Sequence, residues 1–241
     1  MLTMRDHGVE DYAQLRDMDA TDVGELAEDD RACLDELGQY LVEADASDRF
    51  AIWLLHKHFE PAPGELFVER AIQQPRGTET APVRRSPFEG ELNPIVIRFD
   101  DSVGSGVGVV GMEFAGPADF DGVSPLSDDD EAVLAGIAER LHDHGKIDRF
   151  GVRLIRNPLG LSEHEILHET SDRGQRTLHC IVTERGEMPA QTLIETTWRF
   201  RVVDGKTEPR AQVECVATCR RVGEGHDIAH LSVRENDFGN D

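Results

Sequence analysis

The sequence predicts an α+β protein that is internally duplicated: two tandem half-units, each a helix followed by an antiparallel sheet, related by a pseudo-twofold axis. Three observations predict it. The first is a gapless self-match at an offset of 100 residues. Val23, Leu26, Asp29, Asp30, Ala32, Leu34 and Leu41 recur as Val123, Leu126, Asp129, Asp130, Ala132, Leu134 and Leu141. Asp48-Arg49-Phe50 recurs as Asp148-Arg149-Phe150, and Leu54, Glu65, Glu69, Arg76 and Arg85 recur as Leu154, Glu165, Glu169, Arg176 and Arg185. A repeat this long is far from solenoid periods and implies two structural units. The second observation is a helical apolar stripe at the start of each half. The third is a series of short alternating segments after each helix, separated by turn residues.

Residues 1–22 read as an acidic flexible arm. The first repeat unit spans 23–114 and opens with a helix from about Asp29 to Ala44, on which Ala32, Leu34, Leu37, Leu41 and Val42 share one face. Asp48-Arg49-Phe50 marks the corner into a strand over 50–59, where an Asp–Arg pair would tie the turn and the phenylalanine would enter the core. Pro61-Ala62-Pro63-Gly64 then turns the chain into a strand over 65–71. Ile95–Phe99 follows as a further strand. Ala115–Leu126, rich in Gly, Pro and Asp, is the linker.

The second unit spans 127–222. Ser127 is a suitable N-cap, Asp128, Asp129 and Asp130 suit the positive end of a helix, and Gly145 suits its end. Strands are predicted over 150–158, 176–185 and 193–203. The last is in register with Ile95–Phe99 at an offset of 101, so one residue is inserted between them. Residues 223–241 form a C-terminal tail.

Charge and composition bound the function. The 241 residues carry 48 acidic and 25 basic side chains, a net charge of −23. That argues against nucleic acid or an anionic membrane as partner, both of which need a basic face. Only Lys57, Lys146 and Lys206 are lysines, which fits equally a salt-adapted host or the arginine bias of a GC-rich genome. The N-terminus lacks the apolar core of a signal peptide, and the longest apolar run, Ala51–Leu55, is far short of a membrane span. Four cysteines, Cys33, Cys180, Cys215 and Cys219, are too few for a secreted disulfide framework. The expectation is a cytoplasmic protein with reduced thiols.

Four patterns resemble chemistry. His164-Glu165-Ile166-Leu167-His168 matches the zinc-protease spacing, which works only on a helix. Its first-half counterpart, Gly64 to Val68, reads as strand, and a strand would split the two histidines by ~13 Å. Gly106-Val107-Gly108-Val109-Val110-Gly111 matches the dinucleotide fingerprint, but no helix start follows it, so it reads as a glycine-rich strand and no nucleotide cofactor is expected. Cys215 and Cys219 with His226 and His230 have zinc-type ligands. On a strand the two thiols cannot share one metal, which leaves Cys219, His226 and His230 as a secondary metal candidate.

His56-Lys57-His58 carries the most weight. On a strand, residues two apart share a face, so both imidazoles point the same way at a workable ligand spacing. A hairpin placing Trp53 and Leu55 opposite Val68 and Leu66 would bring Glu65, Phe67 and Glu69 to the same face. The predicted centre is therefore His56, His58 and Glu65 on a divalent metal (iron or zinc), with Glu69 as the catalytic base or a supporting carboxylate. The second half has Arg156 and Pro158 at the histidine positions, so the pair is specific to one half. The function expected is a small metal-dependent enzyme acting on a small molecule. The alternative is a non-catalytic acidic binding or assembly protein, with the strand faces of Trp53 or Trp198 as contacts and a structural zinc near the C-terminus.

Overall fold

The structure, a computed structural model, describes residues 2–5, 8–17, 26–85, 91–100, 107–185, 187, 193–203 and 210–220. For 193, 202–203 and 210–220 it describes the backbone alone. The elements run β1 (Leu2–Arg5), α1 (Val9–Ala13), β2 (Arg16–Asp17), α2 (Glu28–Glu43), β3 (Phe50–Leu54), β4 (His56–Lys57), β5 (Glu65–Gln73), β6 (Arg76–Arg84), β7 (Asn93–Phe99) and β8 (Val107–Ala115). After the linker come α3 (Glu131–Asp143), β9 (Phe150–Leu154), β10 (Glu165–Asp172), β11 (Thr177–Glu184), β12 (Leu193–Val203) and β13 (Arg210–Arg220). The fold is mixed helix and strand, dominated by one strongly curled sheet.

The two long helices form where the apolar stripes lie. Leu34, Leu37 and Leu41 of α2 and Leu134, Ile137 and Leu141 of α3 are buried. The orphan amides at each helix entry are capped alike. The Asp30 carboxylate accepts from Ala27 N–H at 3.1 Å, and the Asp130 carboxylate accepts from Ser127 N–H at 2.9 Å. Gly145 takes φ 63°, and the Gly145 and Lys146 amides bond back to the carbonyls of His142 and Leu141, closing α3.

The Asp-Arg-Phe corners sit where expected, but the arginines do not tie their own turns. Phe50 and Phe150 enter the core, while Arg49 pairs with Asp130 and Arg149 with Asp30. Arg49 thus holds the cap of α3 and Arg149 the cap of α2.

The sheet has eleven strands in the order β1-β8-β5-β6-β11-β10-β13-β12-β3-β9-β7, and β7 also pairs with β8, so the sheet curls until it meets itself. Its continuous core includes Phe50, Ile52, Leu54, Phe67, Ile97, Val109, Phe150, Val152, Trp198 and Phe200. The hairpin predicted between the His56 strand and the Glu65 strand does not form. β3 pairs with β9 and β12 (Ile52 opposite Val152 and Trp198), while β5 pairs with β6 and β8. β6 lay outside the sequence reading, β1, α1 and β2 form within the segment 1–22 that was expected to be a flexible arm, and the strand predicted over 50–59 breaks at Leu55. Trp53 and Trp198, proposed as exposed contact faces, are both buried. Each strand face that carries them is covered by core. No helix among the described residues is long and apolar enough to cross a membrane.

Candidate metal centre

The chain leaves β3 at Leu55 and resumes as β4, a two-residue strand pairing in parallel with β2. His56 and His58, two residues apart, both turn inward and are buried. His56 Nδ1 lies 2.7 Å from the Leu54 carbonyl oxygen. A carbonyl only accepts, so Nδ1 carries the proton and Nε2 presents a lone pair. That lone pair faces His58 Nε2 at 3.2 Å, the rings being nearly perpendicular with centroids 4.9 Å apart.

The third member is Glu169 of β10. Its Oε1 accepts a hydrogen bond from the Thr196 hydroxyl at 2.7 Å. Its Oε2 is buried without a hydrogen-bond partner and lies 3.7 Å from His56 Nε2 and 3.6 Å from His58 Nε2. The three candidate ligand atoms fall within 4.8 Å of one another. Around a tetrahedral ion with bonds of ~2.0–2.1 Å, ligand atoms are separated by ~3.3–3.4 Å. The observed triangle needs shifts of only a few tenths of an ångström to reach that geometry. A buried carboxylate oxygen with no donor costs on the order of 1–3 kcal/mol, a cost that a cation at the centre of the triangle removes.

The surroundings are charged and closed. The small cavity at the histidines is lined also by Tyr12, Trp53, Glu69, Glu113, Arg153, Leu178 and Cys180. Burial would raise the Glu169 carboxyl, but the two imidazoles outweigh it and hold the group well below the usual carboxylate range. Burial raises Glu113, with Arg153 opposing and the neighbouring glutamates adding to the rise. Burial also pushes the Tyr12 hydroxyl and the Cys180 thiol well up, so both stay neutral at ordinary pH.

The residues anticipated from sequence fall in different places. His56 and His58 come together; Glu65 does not join them. It pairs with Arg176 at 2.6 Å and accepts from Ala62 N–H at 2.8 Å, at the start of β5, because β5 does not lie beside β3. Glu69 reaches the same buried region but is held by Arg153 and Arg156. Burial raises its carboxyl, the two guanidiniums lower it further than burial raises it, and the net shift is downward. A carboxylate locked by two arginines is a poor proton acceptor, so the catalytic role expected for Glu69 finds no geometric support. Cys219 lies on β13, where only the backbone is described, opposite Ile194 and Glu169. His226 and His230 lie outside the described residues.

His164 to His168 enters β10 rather than a helix, as its counterpart indicated, and 107–115 is strand β8. Glu169 follows Glu69 at the 100-residue offset of the self-match. The signal that could have found it is that offset: Glu169 lies on the later stretch, whose positions matching His56 and His58 carry Arg156 and Pro158. No protein-family model, curated protein or solved structure matches the chain.

Proposed function

We propose that His56, His58 and Glu169 bind a divalent transition metal, iron or zinc, and that the protein is a metal-dependent enzyme acting on a small molecule. The observation that carries this reading is the buried Glu169 Oε2, without a hydrogen-bond partner, facing two converging Nε2 atoms. Two histidines and one carboxylate leave coordination positions open, the arrangement of many non-haem iron and catalytic zinc sites. A metal so held supplies a Lewis acid and lowers the pKa of bound water towards ~7. The protein's own share is to fix the ligands. The Leu54 carbonyl sets the His56 tautomer, the Thr196 hydroxyl orients Glu169, and the apolar bodies of Tyr12 and Trp53 limit water.

We further propose that the fold is two duplicated units about a pseudo-twofold axis. Four reciprocal relationships support it. Arg49–Asp130 answers Arg149–Asp30, and Arg76–Glu165 answers Arg176–Glu65. Leu55 N–H bonds to Arg149 O and Ile155 N–H to Arg49 O, each at 2.9 Å. Val96 and Ile97 lie opposite Arg153 and Val152, as Thr197 and Trp198 lie opposite Trp53 and Ile52, which keeps the offset of 101.

The duplication gives the metal site a counterpart. Arg156 occupies the position of His56 and pairs with Glu69, as His56 faces Glu169. One half neutralises its buried glutamate with a fixed guanidinium; the other surrounds its glutamate with two neutral-capable imidazoles. This observation favours a second reading, in which the ion is structural and replaces the missing arginine charge.

Metal content of the purified protein by mass spectrometry tests the site, with His56→Ala/His58→Ala as control. Near one equivalent in wild type and none in the variant is the expected result. No stoichiometric metal in wild type would remove the enzyme reading. Stable metal that no exogenous ligand perturbs would favour the structural one.

A further inference from the structure

A cleft of about 140 Å³ lies beside the histidine cavity and shares Glu69, Arg153, Glu169 and Cys180 with it. Its apolar wall is Ile155, Leu159, Leu161 and Leu167, all only partly buried. One hundred residues earlier these positions are Leu55, Phe59, Pro61 and Phe67. There three rings close on one another: the Phe59 ring lies 5.2 Å from that of Phe67, and the Tyr12 ring 4.7 Å from it. Tyr12 comes from the chain's own N-terminal segment, held by β2 pairing with β4 and by Lys57 Nζ donating to the Ala13 carbonyl at 3.0 Å. The second half has leucine in place of both phenylalanines, and Leu167 stays partly buried where Phe67 is 1% exposed. The cleft opens where the first half is filled by rings. An apolar space of roughly 150 Å³ takes a benzene ring.

The charged groups around the cleft are met within the protein. Glu69 is held by Arg153 and Arg156, Glu165 by Arg76, and Glu169 by Thr196 and the histidines. Arg185 Nε donates to the Glu163 carbonyl at 3.1 Å, and Arg199 is engaged as well. A ligand carrying a full charge would lose its hydration here and gain no counter-ion. A hydroxyl suits such a wall, because it donates to a carboxylate and accepts from a guanidinium without adding charge.

The geometry points to a binding site for a small neutral phenol. Its ring lies against Leu159, Leu161 and Leu167, as the Tyr12 ring lies against Phe67, and its hydroxyl meets the Glu69–Arg153 pair. Tyr12, which lines the histidine cavity, is the chain's own phenol in the first half. This assignment rests on the duplication proposed above and not on the metal.

Isothermal titration calorimetry on the full chain at pH 7 tests it with phenol and 4-methylphenol against anisole, benzoate and benzylammonium. At least one phenol is expected to saturate the protein with a dissociation constant at or below ~1 mM. Anisole, which cannot donate, should bind about threefold or more weakly than phenol. Benzoate and benzylammonium should bind about tenfold or more weakly, since each brings a charge without a counter-ion. Leu159→Phe/Leu167→Phe, which gives the second half the first half's rings, should abolish phenol binding, and so should Leu161→Trp. The ligand comparisons need wild type alone, so they decide even where a variant fails to fold. Failure of both phenols to saturate, a charged ligand or anisole binding as tightly as phenol, or unchanged phenol affinity in either folded variant would overturn the proposal. Phenol binding in a protein that never takes up metal would leave the cleft standing and sink the metal reading alone. Metal uptake without phenol binding would do the reverse.

Discussion

His56 Nε2 and His58 Nε2 face each other at 3.2 Å while the other nitrogen of His56 is committed to the Leu54 carbonyl. Two basic nitrogens at that distance need a cation or a proton between them. Glu169 Oε2, just beyond hydrogen-bond reach of both, sets the sign of what belongs there. The consequences can be measured.

Glu169→Gln keeps the shape of the side chain and removes its charge. Metal affinity, measured by competition with a chromophoric chelator, should fall by ~100-fold or more, at or beyond the upper end of what losing a supporting hydrogen bond costs. Glu65→Gln is the contrasting variant. Because Glu65 pairs with Arg176, affinity there should remain within a few-fold of wild type. A large loss in Glu65→Gln with none in Glu169→Gln would restore the ligand set read from sequence.

Arg156 is buried against Glu69, with its other end over the Phe120 ring and on the Asp119 carbonyl. Arg156→Leu leaves part of a buried carboxylate uncompensated. Urea unfolding should show a loss of ~3–5 kcal/mol, the range for breaking one side of a buried pair. A loss below ~1 kcal/mol would mean that Arg153 alone suffices.

Asp11 anchors α1, whose Tyr12 lines the histidine cavity. Its carboxylate accepts from Arg5 at 2.9 Å, from Arg98 at 2.6 Å and from Gly8 N–H at 2.8 Å. Burial raises the group, but the arginines and the backbone amide outweigh it and hold it below the usual range. A depressed folded-state value means stability that is present above the unfolded value near ~3.9 and lost as pH falls through the folded one. Asp11→Asn should therefore cost about 2 kcal/mol at pH 7 and progressively less below pH ~4, by urea unfolding across pH. A cost that does not change with pH would refute the ionic account.

Gly77 lies where β6 meets β11, opposite Ile181. A Cβ there would sit 2.4 Å from the Cys180 carbonyl oxygen and 3.1 Å from Ile181 Cα, both backbone atoms that cannot turn aside. Gly77→Ala should destabilise by ~1–3 kcal/mol, as overpacking does. Gly116→Ala, with nothing within 4 Å of the new methyl, should change stability by less than ~0.5 kcal/mol.

Local patterns in the sequence were legible where local physics decides. The stripes of α2 and α3, the stop at Gly145, the strand character of 165–168 and 107–111, and the inward pair His56/His58 all follow from periodicity and turn chemistry. Partners across the sheet were not. The expected neighbour of β3 was the next strand along the chain, whereas its neighbours are β9 and β12, and an alternating strand does not encode which strand lies beside it. That single error exchanged Glu169 for Glu65. The same long-range pairing hid Arg49–Asp130, because an arginine beside an aspartate in sequence invites a local tie. Tyr12 was missed as well. The acidic residues around it mask a short helix whose aromatic ring is its only strong core signal.

The most direct test of the central claim is anomalous diffraction from crystals of the metal-loaded protein, collected at the iron and zinc edges. The account predicts one strong peak ~2.0–2.2 Å from His56 Nε2, His58 Nε2 and a Glu169 carboxylate oxygen. A peak at Cys219, His226 and His230 instead, or no peak in protein exposed to either metal, would contradict it.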